Sequence, residues 1–186
     1  ELETGKFSDA FNPASFNGVA AAKDPALSRA LSAAEDIATI RRLERFATVY
    51  IVNNEAGQLE SLILPVRGYG LWGTMYGFMA LANDLNTVVG LGFYAHTETP
   101  GLGGEVDNPR WRAKWPGKKV FAEDQNEVAL SVVKGNVDPR DPAAAHKVDA
   151  LAGATLTSNG VNNLVHFWLG EKAFGPFIAN LRAGEL

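Results

Sequence analysis

The sequence predicts an α+β fold: one domain over residues 1–186, a mostly antiparallel, twisted sheet with helices packed on it. Three observations carry that expectation. Strand-like runs at 48–52, 59–66, 74–82 and 87–96 follow one another through short turns, the economical pattern for antiparallel neighbours. Further on, Val161, Leu164, Val165, Trp168 and Leu169 sit at i, i+3, i+4, i+7 and i+8, one face of an α-helix. Hydrophobic residues make up 46% and charged residues 20%, a globular composition over a length that suits one core.

Composition also removes function classes. The net charge of −4, with no basic cluster, argues against nucleic acid as a partner. With no cysteine, disulfides and cysteine-ligated zinc or iron–sulfur sites are excluded. No run of 18 apolar residues occurs, so nothing in the sequence reads as a bilayer span. The most apolar stretch, residues 69–82, is broken by glycines and reads as buried strand. A chain that begins at Glu1 rather than Met is expected to be processed or truncated, with any anchor or targeting segment cut away.

In chain order, residues 1–23 read as an irregular arm with Phe7, Phe11 and Phe16 as its anchors. Asp24-Pro25 reads as a helix start, a cap followed by proline at the first helical position. Ser32-Ala-Ala-Glu35 is a capping box, and Ile37, Ile40 and Leu43 predict the buried stripe of a helix to about Arg45, with Arg41-Arg42 on its solvated face. Thr48–Val52, a turn at Asn53–Gly57 and Leu59–Val66 form a hairpin. The glycine-rich bend Arg67–Gly73 leads into a strand over Thr74–Ala82, and a turn at Asn83–Asn86 into another over Thr87–His96. A short helix or turn is expected at Asn108–Trp115, then strands near Lys119–Phe121 and Val128–Val133, and a turn-rich segment Gly135–Pro142. Gly170 ends the long helix, and Phe174-Gly-Pro-Phe177 begins a last short one.

Three stretches bear on chemistry. Gly90-x-Gly92-x-x-Ala95 matches a dinucleotide fingerprint by letters, but it lies in a β-rich run and position 115 is Trp rather than the ribose-binding acid, so it is rejected. His96–Glu105 holds three glycines and a proline, a backbone able to approach a ligand closely, or else a long inter-strand connection. His96, Glu98 and Glu105 do not make a metal site, because His146 and His166 are far off in sequence. The third stretch is Asp149 to Gly160, which opens the long helix. Thr157 or Ser158 is placed to cap it, and its unpaired N–H groups and partial positive charge welcome a phosphate. Gly153 and Ala154 keep side chains out of the way, and Thr155 puts a hydroxyl at the mouth. An ordinary cap without ligand is the plain alternative.

The string Asp149-x-x-x-Gly153-Ala154-Thr155-x-Thr157 resembles the flavinylation motif, in which a flavin transferase links FMN to the threonine of Gly-Ala-Thr through a phosphoester. The resemblance makes Thr155 the acceptor and departs from the pattern at Ala152, where the family carries Ser or Thr. With Gly70-Leu-Trp-Gly-Thr-Met-Tyr-Gly77, the His96–Glu105 stretch, Phe167-Trp-Leu-Gly170 and Phe174-Gly-Pro-Phe177, the chain from about Phe11 onward resembles the C-subunit family of the sodium-translocating NADH:quinone oxidoreductases. The G-subunit family of the Rnf complex shares the flavin motif but is expected to match the other blocks less fully.

The resemblance implies a respiratory, sodium-pumping oxidoreductase component that relays electrons through covalent FMN toward ubiquinone. Other subunits of the membrane complex would be its partners. It also implies a bacterial inner-membrane location, on the periplasmic side, through a single N-terminal helix that this chain lacks. The residues expected at the cofactor are Thr155 with Asp149, Gly153, Ala154, Leu156, Thr157 and Ser158, the loop residues Glu98, Thr99, Gly101, Leu102 and Gly103, and Trp72. Leu102 and Trp72 are expected to cover the flavin ring, although Trp72 reads equally well as a core aromatic. A non-redox FMN scaffold and a structural subunit with an empty site are the rival classes.

Overall fold

Alternation dictates the centre of the molecule. In a computed structural model describing residues 1–123 and 127–186, Leu62, Leu64 and Val66 point every second residue from one strand into the core, as do Met75, Met79 and Leu81 from its neighbour. These strands are β4 (Leu59–Tyr69) and β5 (Thr74–Ala82), paired antiparallel from Ser61↔Ala82 to Tyr69↔Thr74. With β3 (Tyr50–Asn53) and β6 (Val88–Ala95) they form an antiparallel sheet of order β3-β4-β5-β6, the hairpin and meander that the turns predicted.

The long helix α3 (Thr155–Leu169) lies on the inner face of β4 and buries the expected stripe of Val161, Leu164, Val165, Trp168 and Leu169. Trp168 Nε1 donates to the Arg67 carbonyl at 2.6 Å, tying helix to strand. The closing helix α4 (Gly175–Ala183) adds Phe177 and Ile178 to the same core. The architecture is α+β in a single domain, as the sequence predicted.

Three expectations give way at the N-terminal side. The arm carries a helix, α1 (Gly18–Lys23), capped by Asn17, whose Oδ1 accepts the Ala20 N–H at 3.0 Å. Of the expected aromatic anchors, Phe7 packs edge-on against Phe177 and Phe11 against Phe46 although both are exposed on their other sides, and Leu2 is buried ahead of them. Asp24-Pro25 ends α1 rather than starting a helix. The residue before proline is driven to extended backbone, and Asp24 sits at φ −87°, ψ 118°.

The capping box at Ser32 and Glu35 forms, with reciprocal bonds of 3.0 and 3.3 Å, but it closes a turn and no helix follows. The Asp36 carboxylate instead accepts the N–H groups of Ile40 and Arg41 at 2.8 and 2.7 Å, wrapping the chain back. Thr39 and Arg41 then take positive φ, a short polar wrap outcompeting the helical ladder. Of the supposed stripe, Leu43 is buried on β2 (Arg42–Glu44), which pairs antiparallel with β1 (Ser28–Ala30), while Ile37 is 44% exposed.

On the C-terminal side, Asn108 caps the short helix α2 (Pro109–Arg112). The strand expected at Lys119–Phe121 amounts to two bridges, Thr87↔Lys119 and Phe121↔Val128. The next shrinks to β7 (Ser131–Val133), which pairs parallel with β8 (Lys147–Asp149). That parallel pair delivers the chain to the start of α3.

Candidate functional site

Everything near Thr155 is set by how β8 hands over to α3. Asp149, the last residue of β8, is held at both ends. Its carbonyl accepts Trp111 Nε1 at 2.8 Å, and its carboxylate accepts the Val137 N–H at 2.7 Å and the Lys114 ammonium. Burial works against its ionisation, but those donors outweigh it and hold the carboxyl below the usual Asp range. A turn follows with Gly153 at φ +72°, a left-handed position that suits glycine.

The helix then opens at Thr155, with Ala154 in the N-cap position and no side chain capping it. The exposed first turn thus keeps open N–H groups and the positive end of a 15-residue helix beside the Thr155 hydroxyl. Thr157 and Ser158 are not the caps. The helix starts two residues before Thr157, so both hydroxyls lie inside it, 1% and 2% exposed, and buried hydroxyls need partners. Ser158 Oγ accepts the Leu151 N–H at 3.0 Å, closing the turn from within, and Thr157 Oγ1 donates to Glu98.

Glu98 is the hub of the second stretch. Only 5% exposed, its carboxylate accepts the N–H of Leu71 at 3.0 Å and of Trp72 at 2.9 Å, besides the Thr157 hydroxyl. Burial opposes its charge most strongly. The Thr157 hydroxyl and the N–H groups of Trp72, Leu71 and Gly73 together prevail and keep its pKa below the normal Glu range. The close fit depends on glycine. A Cβ at Gly70 would lie 2.5 Å from Glu98 Oε1, and one at Gly103 would lie 2.6 Å from Oε2 and 2.4 Å from Thr157 Oγ1.

Beyond Glu98 the loop turns on the Thr99 carbonyl, which accepts Leu102 N–H at 3.1 Å and Gly104 N–H at 2.8 Å, with Gly101 at φ +76°. This carries Leu102 to the motif turn, where its Cδ2 lies 3.4 Å from where a Gly153 Cβ would be. Four apolar side chains stand in solvent in this region: Leu71, Trp72, Leu102 and Leu156, from 40% to 63% exposed. Trp72, the most exposed of them, is therefore not a core aromatic. Single exposed leucines are ordinary, but exposed apolar side chains on three segments tied together through Glu98 make this the candidate binding surface.

The structure thus puts Thr155, Leu156, Gly153, Leu102 and Trp72 at the surface, with Thr99 and Gly101 shaping the loop and Ala154 buried in the core beneath the turn. Asp149, Glu98, Gly103, Thr157 and Ser158 lie beneath it as its supports. The roles of Lys114, Val137 and Trp111 in gripping Asp149 escaped sequence reasoning, because those contacts span 12 to 38 residues and carry no local pattern.

His96 has other duties than a metal. Its Nδ1 accepts the Glu98 N–H at 3.1 Å, which leaves Nε2 to donate to Asp107 at 2.8 Å. Among the described residues no group of three His, Asp or Glu side chains is placed to hold a metal ion. Gly90–Ala95 lies within β6, not at a strand-to-helix turn. A groove of about 330 Å³ on the outer face of the sheet, walled by Tyr50, Tyr76, Phe78 and Tyr94, shares no lining residue with the start of α3.

Comparison with known proteins places this geometry in a context. Residues 70–170, spanning the bend, the Glu98 loop and all of α3, match the FMN-binding domain family. The whole chain is 61% identical over 185 residues to the C-subunit of the Na(+)-translocating NADH-quinone reductase of Pseudomonas aeruginosa, covering 70% of that protein. It is 52% identical over 186 residues to the C-subunit of the same reductase from Pasteurella multocida, covering 69% of it. The crystal structure of Shewanella oneidensis NqrC superposes with a TM-score of 0.88 at 39% identity, over 98% of this chain and 81% of that one.

Proposed function

Because this chain belongs to the C-subunit family of the Na(+)-translocating NADH-quinone reductases, we propose that it is the electron-carrying FMN component of such a complex, its flavin phosphate esterified to Thr155. The observation that supports this attachment is the exposed Thr155 hydroxyl on the first residue of an uncapped helix, beside exposed Leu71, Trp72, Leu102 and Leu156. An FMN phosphate fits such a terminus, and an isoalloxazine fits such an apolar surface.

When bound, FMN supplies the electron transfer that no side chain here performs. The chain supplies the rest. Thr155 Oγ1 would hold the flavin phosphate as an ester, its proton leaving with the group that the transferase displaces from phosphorus as the new P–O bond forms. The open N–H groups at the start of α3 hold the phosphate charge, an interaction of about 0.3–1 kcal/mol, up to about 2 when partly buried. Gly153 and Ala154 would leave room for the phosphate, and Leu102, Trp72, Leu71 and Leu156 would cover the ring. Asp149, Glu98 and the Ser158 hydroxyl hold the segments that carry these groups in place.

A separate flavin transferase makes the ester. The other subunits of the membrane complex give and receive the electrons. We place the domain on the periplasmic side of the bacterial inner membrane, held by one N-terminal helix outside the given sequence. This chain spans about seven-tenths of the length of its curated relatives, and no helix among the described residues is long and apolar enough to cross a membrane.

Intact-protein mass tests the reading. The chain co-expressed with a flavin transferase should gain one FMN less one water, and Thr155→Val should gain nothing. A yellow, fluorescent Thr155→Val band on a denaturing gel would move the attachment elsewhere.

A further inference from the structure

We propose that Glu98 is a positioning residue: its buried carboxylate clasps the bend at Leu71-Trp72 and the Leu102 loop to the first turn of α3, and so sets the pose of the ring-covering side chains. The inference rests on Thr155 as the flavin attachment point and extends it to a residue that need not touch the flavin.

The contacts have the character of a clasp. Leu71 and Trp72 present their side chains outward, 40% and 63% exposed, while both N–H groups turn inward to one carboxylate. The bend is otherwise closed by its own bond, Gly70 N–H to Gly73 carbonyl at 2.8 Å, which does not reach the helix. The helix side of the clasp is Thr157, two residues after Thr155 in the same first turn, and its hydroxyl joins Glu98 across 59 residues of sequence. The Leu102 loop is held because Glu98 is itself part of it.

Saturation explains why a charge is tolerated there. A buried carboxylate is costly unless its oxygens are filled with donors, and here two backbone N–H groups and a hydroxyl fill them. The glycines at 70 and 103 let backbone close over both oxygens, so the carboxylate is sealed from the surface where the flavin lies. A group so enclosed acts through what it holds.

The test uses the 186-residue chain with Glu98→Gln, Thr157→Val and Thr157→Ser. Without flavin, the amide exchange of Leu71 and Trp72 should quicken about tenfold in Glu98→Gln and Thr157→Val, the loss of one hydrogen bond's worth of protection. The amides of Val161, Leu164 and Val165 should not change, and Thr157→Ser, which keeps the hydroxyl, should behave as the parent. With flavin attached, the visible circular dichroism of the flavin should fall at least about twofold at equal flavin content in the first two variants and persist in Thr157→Ser.

Unchanged protection at Leu71 and Trp72, or a uniform rise at every amide, overturns the clasp. So does faster exchange with an unaltered flavin signal, because the ring would then be indifferent to the bend. If Glu98→Gln fails to fold, Thr157→Val against Thr157→Ser decides. A parent chain that takes up no flavin counts against Thr155 and leaves the exchange result standing.

Discussion

Trp111 Nε1 donates to the backbone carbonyl of Asp149 at 2.8 Å, so the acidic residue of the flavin motif is gripped by its backbone as well as by its carboxylate. The grip fixes the exit of β8 and thereby the turn through Gly153 to Thr155. In the folded chain Asp149 is thus a structural support of the turn that presents Thr155.

Replacing Asp149 with Ala should leave the Val137 N–H and the Lys114 ammonium without their acceptor, destabilising the chain by about 1–3 kcal/mol. It should also lower the flavinylated fraction when transferase is limiting. Lys114→Met should cost no more than about 1 kcal/mol, because that side chain is 42% exposed and its ion pair is screened by solvent. Urea melts and intact mass check both, and an Asp149→Ala chain as stable and as fully loaded as the parent would refute the account.

Leu102→Ala separates surface from core. With Leu102 46% exposed, the truncation should change unfolding free energy by less than about 0.5 kcal/mol. It should, however, shift the absorption or the potential of the attached flavin, because the residue lies at the motif turn. A large loss of stability with an unchanged flavin would assign Leu102 to the core instead.

Stability should fall in acid. Glu98 and Asp149 have folded pKa values depressed below their unfolded values of about 4.3 and 3.9. As pH drops, the unfolded chain takes up these two protons first. The stabilisation is therefore complete above about pH 5 and is lost progressively as pH falls through the folded pKa values. Melting temperature measured from pH 7 to pH 2 should show this decline. Glu98→Gln should flatten it relative to the parent, and a parent curve that rises toward acid would contradict the sign.

Much of this was legible in the sequence where a period or a motif was strong. The meander declared itself because β4 and β5 alternate cleanly between core and outer positions, and α3 because its stripe repeats along the helix. Ser32 and Glu35 misled because a capping box stabilises any tight start of this shape, and Asp36 then offered Ile40 and Arg41 a shorter route than a helix. The parallel pair β7–β8 went unread because three residues per strand carry no usable period. At the site, Thr155, Leu102 and Trp72 could be singled out by chemistry and motif. The clasp at Glu98 could not, since backbone donors at 71 and 72 leave no trace in side-chain identity.

Finally, the isolated chain should not oxidise NADH at a useful rate. Hydride transfer needs the nicotinamide held against the flavin, normally by a pyrophosphate-binding turn at a helix start and an acid for the ribose. Gly90 and Gly92 lie inside β6, with the Arg112 side chain crowding the place of a Gly92 Cβ at 3.1 Å, and Trp115, where the acid would stand, is fully buried. Among the described residues two helices are long enough to offer a terminus, and the proposed attachment uses that of α3. The start of α4 carries Pro176, which lacks an N–H, and Gly5 packs against its backbone. Electrons should therefore reach the flavin from a protein partner, and dithionite should bleach the yellow band where NADH does not. Rapid bleaching by NADH in a stopped-flow experiment, saturating with concentration, would reveal a nicotinamide site and make this carrier a dehydrogenase.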